Sequence, residues 1–348
     1  MKINFQIGID LWFFIIYNSS FIIQMTAAFT LIVTGANGFV GRALLRSIAS
    51  QMPDLPIIAL VSDRSACKEI LELPLNLTLR CGNLERLPPD FLPQTPHVLV
   101  HLAVKQIDRD GSGFDKVNID GTKSLLVQVN DRTLGTIYNS SLSVYGEDPQ
   151  RGVEESMPLN PQTALARSRA ASELLVAESM KKSHRWALLL RPRFVLGEGD
   201  RFVLPGLLKL SSQRIGIGNG QQRFSIIDVD DYGTILLRLA VNMAQNGKYP
   251  QQQALNVGYR QPVSFTELID ALRERYIISD PLVKIATPLW LIRSCQRVPK
   301  LQALAAKLSL IGCDRYADSS KLAAIVGEDI VNRSPSIALK RAVTALES

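Results

Sequence analysis

The stretch that most constrains the fold is Leu31-Ile32-Val33-Thr34-Gly35-Ala36-Asn37-Gly38-Phe39-Val40-Gly41-Arg42-Ala43-Leu44-Leu45. A run of β-branched and apolar residues ends in three glycines spaced G-x-x-G-x-x-G, and a helical apolar pattern opens directly behind them. That order reads as a buried strand, a tight turn and the first turn of a helix. Gly35 permits the sharp turn, Gly38 lets the backbone approach a pyrophosphate, and Gly41 lets helix and strand pack closely. A phosphate would then sit at the positive end of the helix. Three glycines alone also suit an ordinary strand-to-helix turn, and it is their place directly after a buried-strand pattern that points to a nucleotide.

Composition removes several alternatives. With 348 residues, 46% of them hydrophobic and 20% charged, the chain can bury a full core and form one large or two moderate domains. Its net charge of +7 is spread out, with only short pairs such as Lys181-Lys182, and reads as solvated surface rather than a nucleic-acid-binding stripe. Cys67, Cys81, Cys295 and Cys313 lack metal-ligand spacing, and three histidines are too few for a usual Cys/His site, so no metal is expected. The cysteines suggest a reducing compartment, and the expected location is cytoplasmic.

Residues 1–24 hold two apolar patches, 11–17 and 21–23, separated by Asn18-Ser19-Ser20. Neither patch is long enough to span a bilayer, and Lys2 alone is a poor basic start for a signal peptide. The favoured explanation is translation starting at Met25, with 1–24 an extension created by start choice. A peripheral membrane anchor and a packed or disordered arm are the alternatives.

Further strands are expected at 57–61, 77–84, 97–103 and 136–141, alternating with helices near 38–50 and 117–130. Such alternation indicates a parallel sheet covered on both faces. After the second strand, Asp63 offers an acceptor for ribose hydroxyls and Arg64 a partner for a 2′-phosphate, so NAD and NADP both stay open, with NAD preferred. The strand at 136–141 ends in Ser140-Ser141, at the edge where ligands bind in such sheets.

Taken together, the chain resembles the extended short-chain dehydrogenase/reductase family, in its NAD-dependent epimerase/dehydratase group that acts on nucleotide-linked sugars. Thr34 to Gly41 is similar to the family's glycine motif, which implies cofactor contacts from Gly35, Asn37, Gly38, Phe39 and Val40. Gly82-Asn83-Leu84 resembles the adenine-contacting segment, with Asn83 replacing the usual acidic residue. Leu102 and Ala103 resemble the strand end lining the diphosphate and ribose, Asn118 the family's helix asparagine, and Pro192 the crossover into the substrate region. The Ser140-Ser141 segment resembles the strand carrying the catalytic serine, which falls on Ser141. The resemblance implies a Rossmann-type doubly wound α/β fold with a smaller C-terminal substrate region. Expected bounds are 25–192 for the dinucleotide domain and 193–348 for the substrate region, with parts of about 224–260 returning to the sheet.

The departure lies in a helix expected at 162–181. The family has Tyr-x-x-x-Lys followed by Ala-Ala-x-Glu, whereas this chain has Leu165-Ala166-Arg167-Ser168-Arg169-Ala170-Ala171-Ser172-Glu173. Leu165 therefore occupies the tyrosine position and Arg169 the lysine position, four residues apart on one helix face. In the resembled mechanism the tyrosine exchanges a proton with the sugar while the lysine holds the nicotinamide ribose. Leucine has no proton to exchange, and arginine is a permanent fork-shaped cation. Tyr138 and Tyr145 lie near Ser141 in sequence, yet neither spacing promises a substitute.

Toward the carboxyl end, residues 202–210 read as a helix and Arg223, after a glycine-rich turn, as the substrate-diphosphate arginine that the resemblance implies. Asp230 or Asp231 is expected to cap a helix, and Ser264 with Glu267 has capping-box spacing. Residues 254–258 read as a strand of the smaller region, and 281–310 as apolar packing or an oligomer face. A homodimer through helices near Leu125 and Leu174 is what the resemblance implies, with a nucleotide-sugar-like ligand and no stable membrane association. Two functions follow: an epimerase/dehydratase-like oxidoreductase or isomerase, or an impaired relative that binds dinucleotide or nucleotide-sugar in a structural or regulatory role.

Overall fold

The structure is a computed structural model that describes residues 29–108, 111–212, 215–217, 219–245, 252–281, 283–285 and 310–347. The extension 1–24, the start at Met25, Cys295 and most of the 281–310 packing region fall outside the described residues. Along the chain come β1 (Thr30–Thr34), α1 (Phe39–Gln51), β2 (Ile57–Val61), α2 (Lys68–Leu71), β3 (Leu77–Cys81) and β4 (His97–His101). A π-helical turn at Lys116–Asp120 then leads into α3 (Gly121–Val127), β5 (Thr133–Asn139), β6 (Gln150–Val153), α4 (Ala164–Lys182), β7 (Trp186–Pro192) and β8 (Phe194–Leu196). The remainder comprises α5 (Val203–Ser211), β9 (Ile215–Ile217), β10 (Arg223–Phe224), β11 (Ile226–Asp228), α6 (Val229–Gln245) and β12 (Gln252–Val257). Last come β13 (Val263–Ser264), α7 (Phe265–Arg273), β14 (Val283–Ile285), β15 (Arg315–Ala317), α8 (Ser320–Val326), α9 (Glu328–Val331) and α10 (Pro335–Thr344).

Seven strands form one parallel sheet in the order β12-β7-β5-β4-β1-β2-β3. The order reverses beside β1, where β4 returns to its other side, so a crevice opens between the ends of β1 and β4. All five residues of β4 are buried, as a central strand covered by helices on both faces requires. On one face α1 crosses α6 so closely that a Cβ on Gly233 would lie 2.5 Å from the Ala43 carbonyl oxygen. The result is the Rossmann-type fold that the glycine stretch implied. A four-stranded sheet, β13-β10-β15-β6, is built mainly from the C-terminal half.

Several expectations change in detail. Ahead of the expected helix cap the chain makes two short strands that part at Ser225, with β10 in the smaller sheet and β11 paired to β8. The helix cap behind it is Asp228, whose Oδ1 accepts from the Asp230 and Asp231 amides at 2.9 and 3.4 Å. Asp230 instead pairs with Arg46, and Asp231 accepts from the Tyr259 hydroxyl. The strand at 254–258 joins the central sheet as its edge, β12 beside β7, and so does not belong to the smaller region. The Ser264–Glu267 capping box forms as its spacing predicted. Leu125 is fully buried within its own subunit, whereas Leu174 is exposed. Among the described residues no helix is long and apolar enough to cross a membrane.

One buried polar chain ties the sheet to α4 and to the loop after β5. Arg191 on β7 donates from Nε and Nη2 to the Glu173 carboxylate on α4, at 3.0 and 2.6 Å, and from Nη1 to the Tyr145 hydroxyl at 2.7 Å. Tyr145 in turn donates to Asn256 Oδ1 on β12 at 3.0 Å. Since both ions of the pair are enclosed, removing one leaves the other unpaired in low dielectric. Glu173→Leu is therefore expected to cost about 3–5 kcal/mol of stability, measured as a fall in denaturant midpoint.

Candidate active site

The floor of the crevice is the turn between β1 and α1. Gly35 has φ +73°, and a Cβ there would sit 2.7 Å from the Ala103 backbone nitrogen just beyond β4. At Gly41 a Cβ would come within 2.2 Å of the Gly35 carbonyl oxygen, so helix, turn and strand end are in backbone contact. Gly38 is the N-cap of α1 and offers no side-chain cap, which leaves the first amides of a 13-residue helix turned toward the crevice. Uncapped amides at a positive helix end suit a diphosphate.

Beneath this floor lies a buried hydrogen-bond line. The Ala103 amide donates to Thr34 Oγ1 at 3.3 Å, Thr34 Oγ1 lies 2.7 Å from His101 Nδ1, and His101 Nε2 lies 3.0 Å from Thr122 Oγ1. Thr122 donates its own proton to the Asn118 carbonyl at 2.5 Å, which assigns the imidazole proton to Nε2. Asn118 receives the Lys105 amide on Oδ1 at 2.7 Å and donates from Nδ2 to the Lys105 carbonyl and to Ser168 Oγ, thereby holding the loop beyond β4 against α4.

A cleft of about 290 Å³ opens above the turn. Of the expected site residues, Gly35, Gly38, Phe39, Val40, Leu102, Ser141, Arg169 and Pro192 line it together. Others lie around it in supporting positions. Asn37 donates to the Ala66 carbonyl at 2.8 Å while its Oδ1 is enclosed without a partner. The Asp63 carboxylate takes the Ser65 amide and hydroxyl on Oδ1, at 2.8 and 2.7 Å, and these bonds hold its pKa below the usual range. Arg64 is exposed beside it. Asn83 Oδ1 caps its own turn through the Glu85 and Arg86 amides, and Leu84 packs under Gly121. Arg223 is exposed on β10, its amide bonded to Asp314 Oδ1, and does not line the cleft.

Where α4 meets the cleft, the chain has Leu165 and Arg169 in place of a Tyr-x-x-x-Lys pair. Leu165 sits half-buried in the first turn of α4 and is not part of the cleft wall. Arg169 reaches the cleft, yet its Nη1 donates to the Asn139 and Ser140 carbonyls at 3.2 and 2.6 Å and its Nη2 to Gln106 Oε1 at 2.5 Å. It thus ties the end of β5 to the loop after β4, and burial lowers its pKa. Of the tyrosines near Ser141, Tyr138 is enclosed in the sheet and Tyr145 is held by Arg191 and Asn256. Burial raises the pKa of both phenols. Ser141 caps the turn Leu142–Tyr145 by accepting the Ser143 amide at 3.2 Å, and it remains partly open to the cleft.

The sequence reading missed part of the wall, namely Gln106, Asn139, Arg193, Asp200 and Phe202, while Ser140 lies at the strand edge it had pointed to. Asp200 had a readable signal, a carboxylate just before a helix, and it accepts the Phe202, Val203 and Leu204 amides at 2.8 to 3.0 Å. Asn139 is the last residue of β5, and Gln106, Arg193 and Phe202 reach the cleft from positions that no motif spacing encodes.

With the site described, comparison with known proteins becomes informative. A model of the NAD dependent epimerase/dehydratase family matches residues 31–258. A 3beta-hydroxysteroid-dehydrogenase/decarboxylase isoform from Arabidopsis thaliana is 22% identical over 90% of this chain and 77% of its own length. A UDP-glucose 4-epimerase from Vibrio cholerae is 26% identical over 75% of this chain and 79% of its own length. Among solved structures, UDP-glucuronic acid 4-epimerase from Bacillus cereus in complex with NAD superposes with a TM-score of 0.70 at 19% identity, covering 91% of this chain and 98% of that one.

Enclosure pulls the His101 pKa down from 6.5 to about 4, so the folded protein keeps this imidazole neutral where an unfolded chain would protonate it. Its contribution to stability is complete above pH 6.5 and declines by about 3 kcal/mol as the pH falls to 4. The expected NMR result is a His101 ring that stays neutral through pH 5; titration near 6.5 would contradict the buried assignment.

Proposed function

Because the chain belongs to the NAD dependent epimerase/dehydratase family, we propose that it binds NAD(P), with NAD preferred, and a nucleotide-linked sugar or a similar alcohol. We further propose that its redox step is much slower than in members carrying Tyr-x-x-x-Lys. The cofactor reading is supported by the backbone contact at Gly35 and Gly41 and by the uncapped N-terminus of α1, which together suit a diphosphate. Asn37, with an enclosed oxygen lacking a partner, and Asp63 at the end of β2 would meet the adenosine side. Arg64, Asn83, Leu84, Ala103 and Asn118 flank that path.

Bound there, a nicotinamide dinucleotide supplies hydride transfer at a substrate carbon. The chain's own side chains supply less than usual. Ser141 can donate a hydrogen bond to a substrate oxygen, but a serine without an adjacent base accepts a proton poorly near neutral pH. Arg169 can keep positive charge beside the ribose, although three acceptors already share its guanidinium. The observation carrying the reading is that, among the described residues, the cleft wall offers one carboxylate, Asp200, and it accepts three helix amides. Leu165 replaces the tyrosine, and Tyr138 and Tyr145 are committed elsewhere. The family's retained binding surfaces also leave room for a role in assembly or regulation that needs the ligand and not its conversion.

Turnover of UDP-sugars by the unmodified chain is expected to be at least about 100-fold below that of a Leu165→Tyr, Arg169→Lys double variant, the usual contribution of a positioned acid or base. Equal turnover by the two would refute the slow-step reading.

A further inference from the structure

Arg169 gathers three parts of the cleft wall around one guanidinium. Its Nη1 donates to the Asn139 and Ser140 carbonyls at 3.2 and 2.6 Å, and its Nη2 to Gln106 Oε1 at 2.5 Å. Gln106, Asn139 and Ser141, the residue after Ser140, are thereby brought together, and all three line the cleft. None of them is shut in: Gln106 is exposed, and Asn139 and Ser141 are half-buried.

The three side chains share a direction. A guanidinium can only donate, so the Gln106 amide must turn its oxygen to Arg169 and its Nε2 away. Tyr232 is fully buried, and burial raises its pKa, so the phenol keeps its proton and gives it to Asn139 Oδ1 at 2.7 Å. That bond turns Asn139 Nδ2 away from the phenol. Ser141 Oγ accepts the Ser143 amide at 3.2 Å and retains a proton of its own to donate. Among the described residues no acceptor takes the protons of Gln106 Nε2, Asn139 Nδ2 or the Ser141 hydroxyl. The remaining side-chain acceptors of the wall face the protein: the Asp200 carboxylate takes three helix amides, and Ser140 Oγ is enclosed. The groups left open to the cleft are donors.

Such a wall matches an oxygen that accepts and does not donate. A carbonyl oxygen brings two lone pairs to it, whereas an alcohol brings a proton that finds each side-chain acceptor already facing a protein donor. The guanidinium also polarises the Gln106 amide through its oxygen, which strengthens the donors on Nε2.

We infer that Gln106 Nε2 and Asn139 Nδ2, with the Ser141 hydroxyl, recognise a carbonyl oxygen of the substrate, so that the cleft holds the keto form more tightly than the corresponding alcohol. The inference rests on the reading of this cleft as the substrate site, and it names the oxidation level that the wall selects. Gln106 and Asn139 become specificity-determining residues.

Matched pairs of ligands test this on the full chain at saturating NAD, which first occupies whatever donors the cofactor takes. UDP-4-keto-6-deoxyglucose against UDP-6-deoxyglucose, and cyclohexanone against cyclohexanol, are titrated by ligand-observed NMR onto the unmodified protein, Gln106→Glu and Asn139→Asp. Absorbance at 340 nm checks that no hydride has moved. The first variant keeps an acceptor for Arg169, the second keeps one for Tyr232, and each removes the donor protons. The unmodified protein is expected to bind at least one ketone about tenfold more tightly than its alcohol, the effect of one unmet hydrogen bond, and each variant to lose most of that preference. The infrared carbonyl stretch of the bound ketone is expected below its value in water. Alcohols bound as tightly as the ketones, no ketone binding, a stretch at or above the value in water, or a preference unchanged in both variants would overturn the proposal. If neither variant folds, the paired affinities and the stretch in the unmodified protein decide it. If NAD does not bind while a ketone preference still depends on Gln106 or Asn139, the cofactor reading falls and this inference stands. If NAD binds and neither ketone is preferred, this inference falls and the cofactor reading stands.

Discussion

Backbone contact between the end of β1, the first turn of α1 and the exit of β4 is the constraint on which the rest depends. Neither Gly35 nor Gly41 has room for a methyl group. That closeness places uncapped helix amides at the mouth of the crevice, and the line from Thr34 through His101 to Thr122 fixes the spacing from below. Because His101 is neutral and fully enclosed, it supports this geometry without placing a charge under the floor. The strand order then follows: β1 lies between β2 and β4, and the cleft opens where the two directions of winding meet.

A charged pair at the far side of the cleft does comparable work. Arg191 and Glu173 lock α4 to β7, and Tyr145 and Asn256 extend the lock to β12. Tyr145, close to Ser141 in sequence, is thereby committed to Arg191 and Asn256. Its hydroxyl is already a strut between two halves of the structure. Arg169 is an architectural tie of the same kind, donating to the carbonyls at the end of β5 and to Gln106.

Much of the fold was legible because short local rules dictate it. The glycine spacing, the buried strand runs at 57–61 and 97–101 and the capping box at Ser264 each depend on residues close in sequence. Legibility ended where distant partners decide. Whether 254–258 joined the large or the small sheet depended on β7, and Asp228 could be told from Asp230 and Asp231 only by which carboxylate faced the helix amides. In the site, the glycine turn, Ser141 and Arg169 were readable from motif spacing. Gln106 and Arg193 were not, because their places in the cleft wall depend on how distant segments come together and not on their neighbours in the chain.

On the proposed reading, binding and proton transfer are separable: the residues read as cofactor-binding line one cleft, and Leu165 stands where the resembled family carries its tyrosine. A single-turnover experiment addresses that separation most directly, mixing excess protein and NAD with limiting UDP-glucose, following absorbance at 340 nm, and measuring NAD affinity by titration. The account predicts saturable NAD binding with no rapid rise in reduced nicotinamide. A fast burst of reduced cofactor, or no binding of NAD or NADP at all, would contradict it.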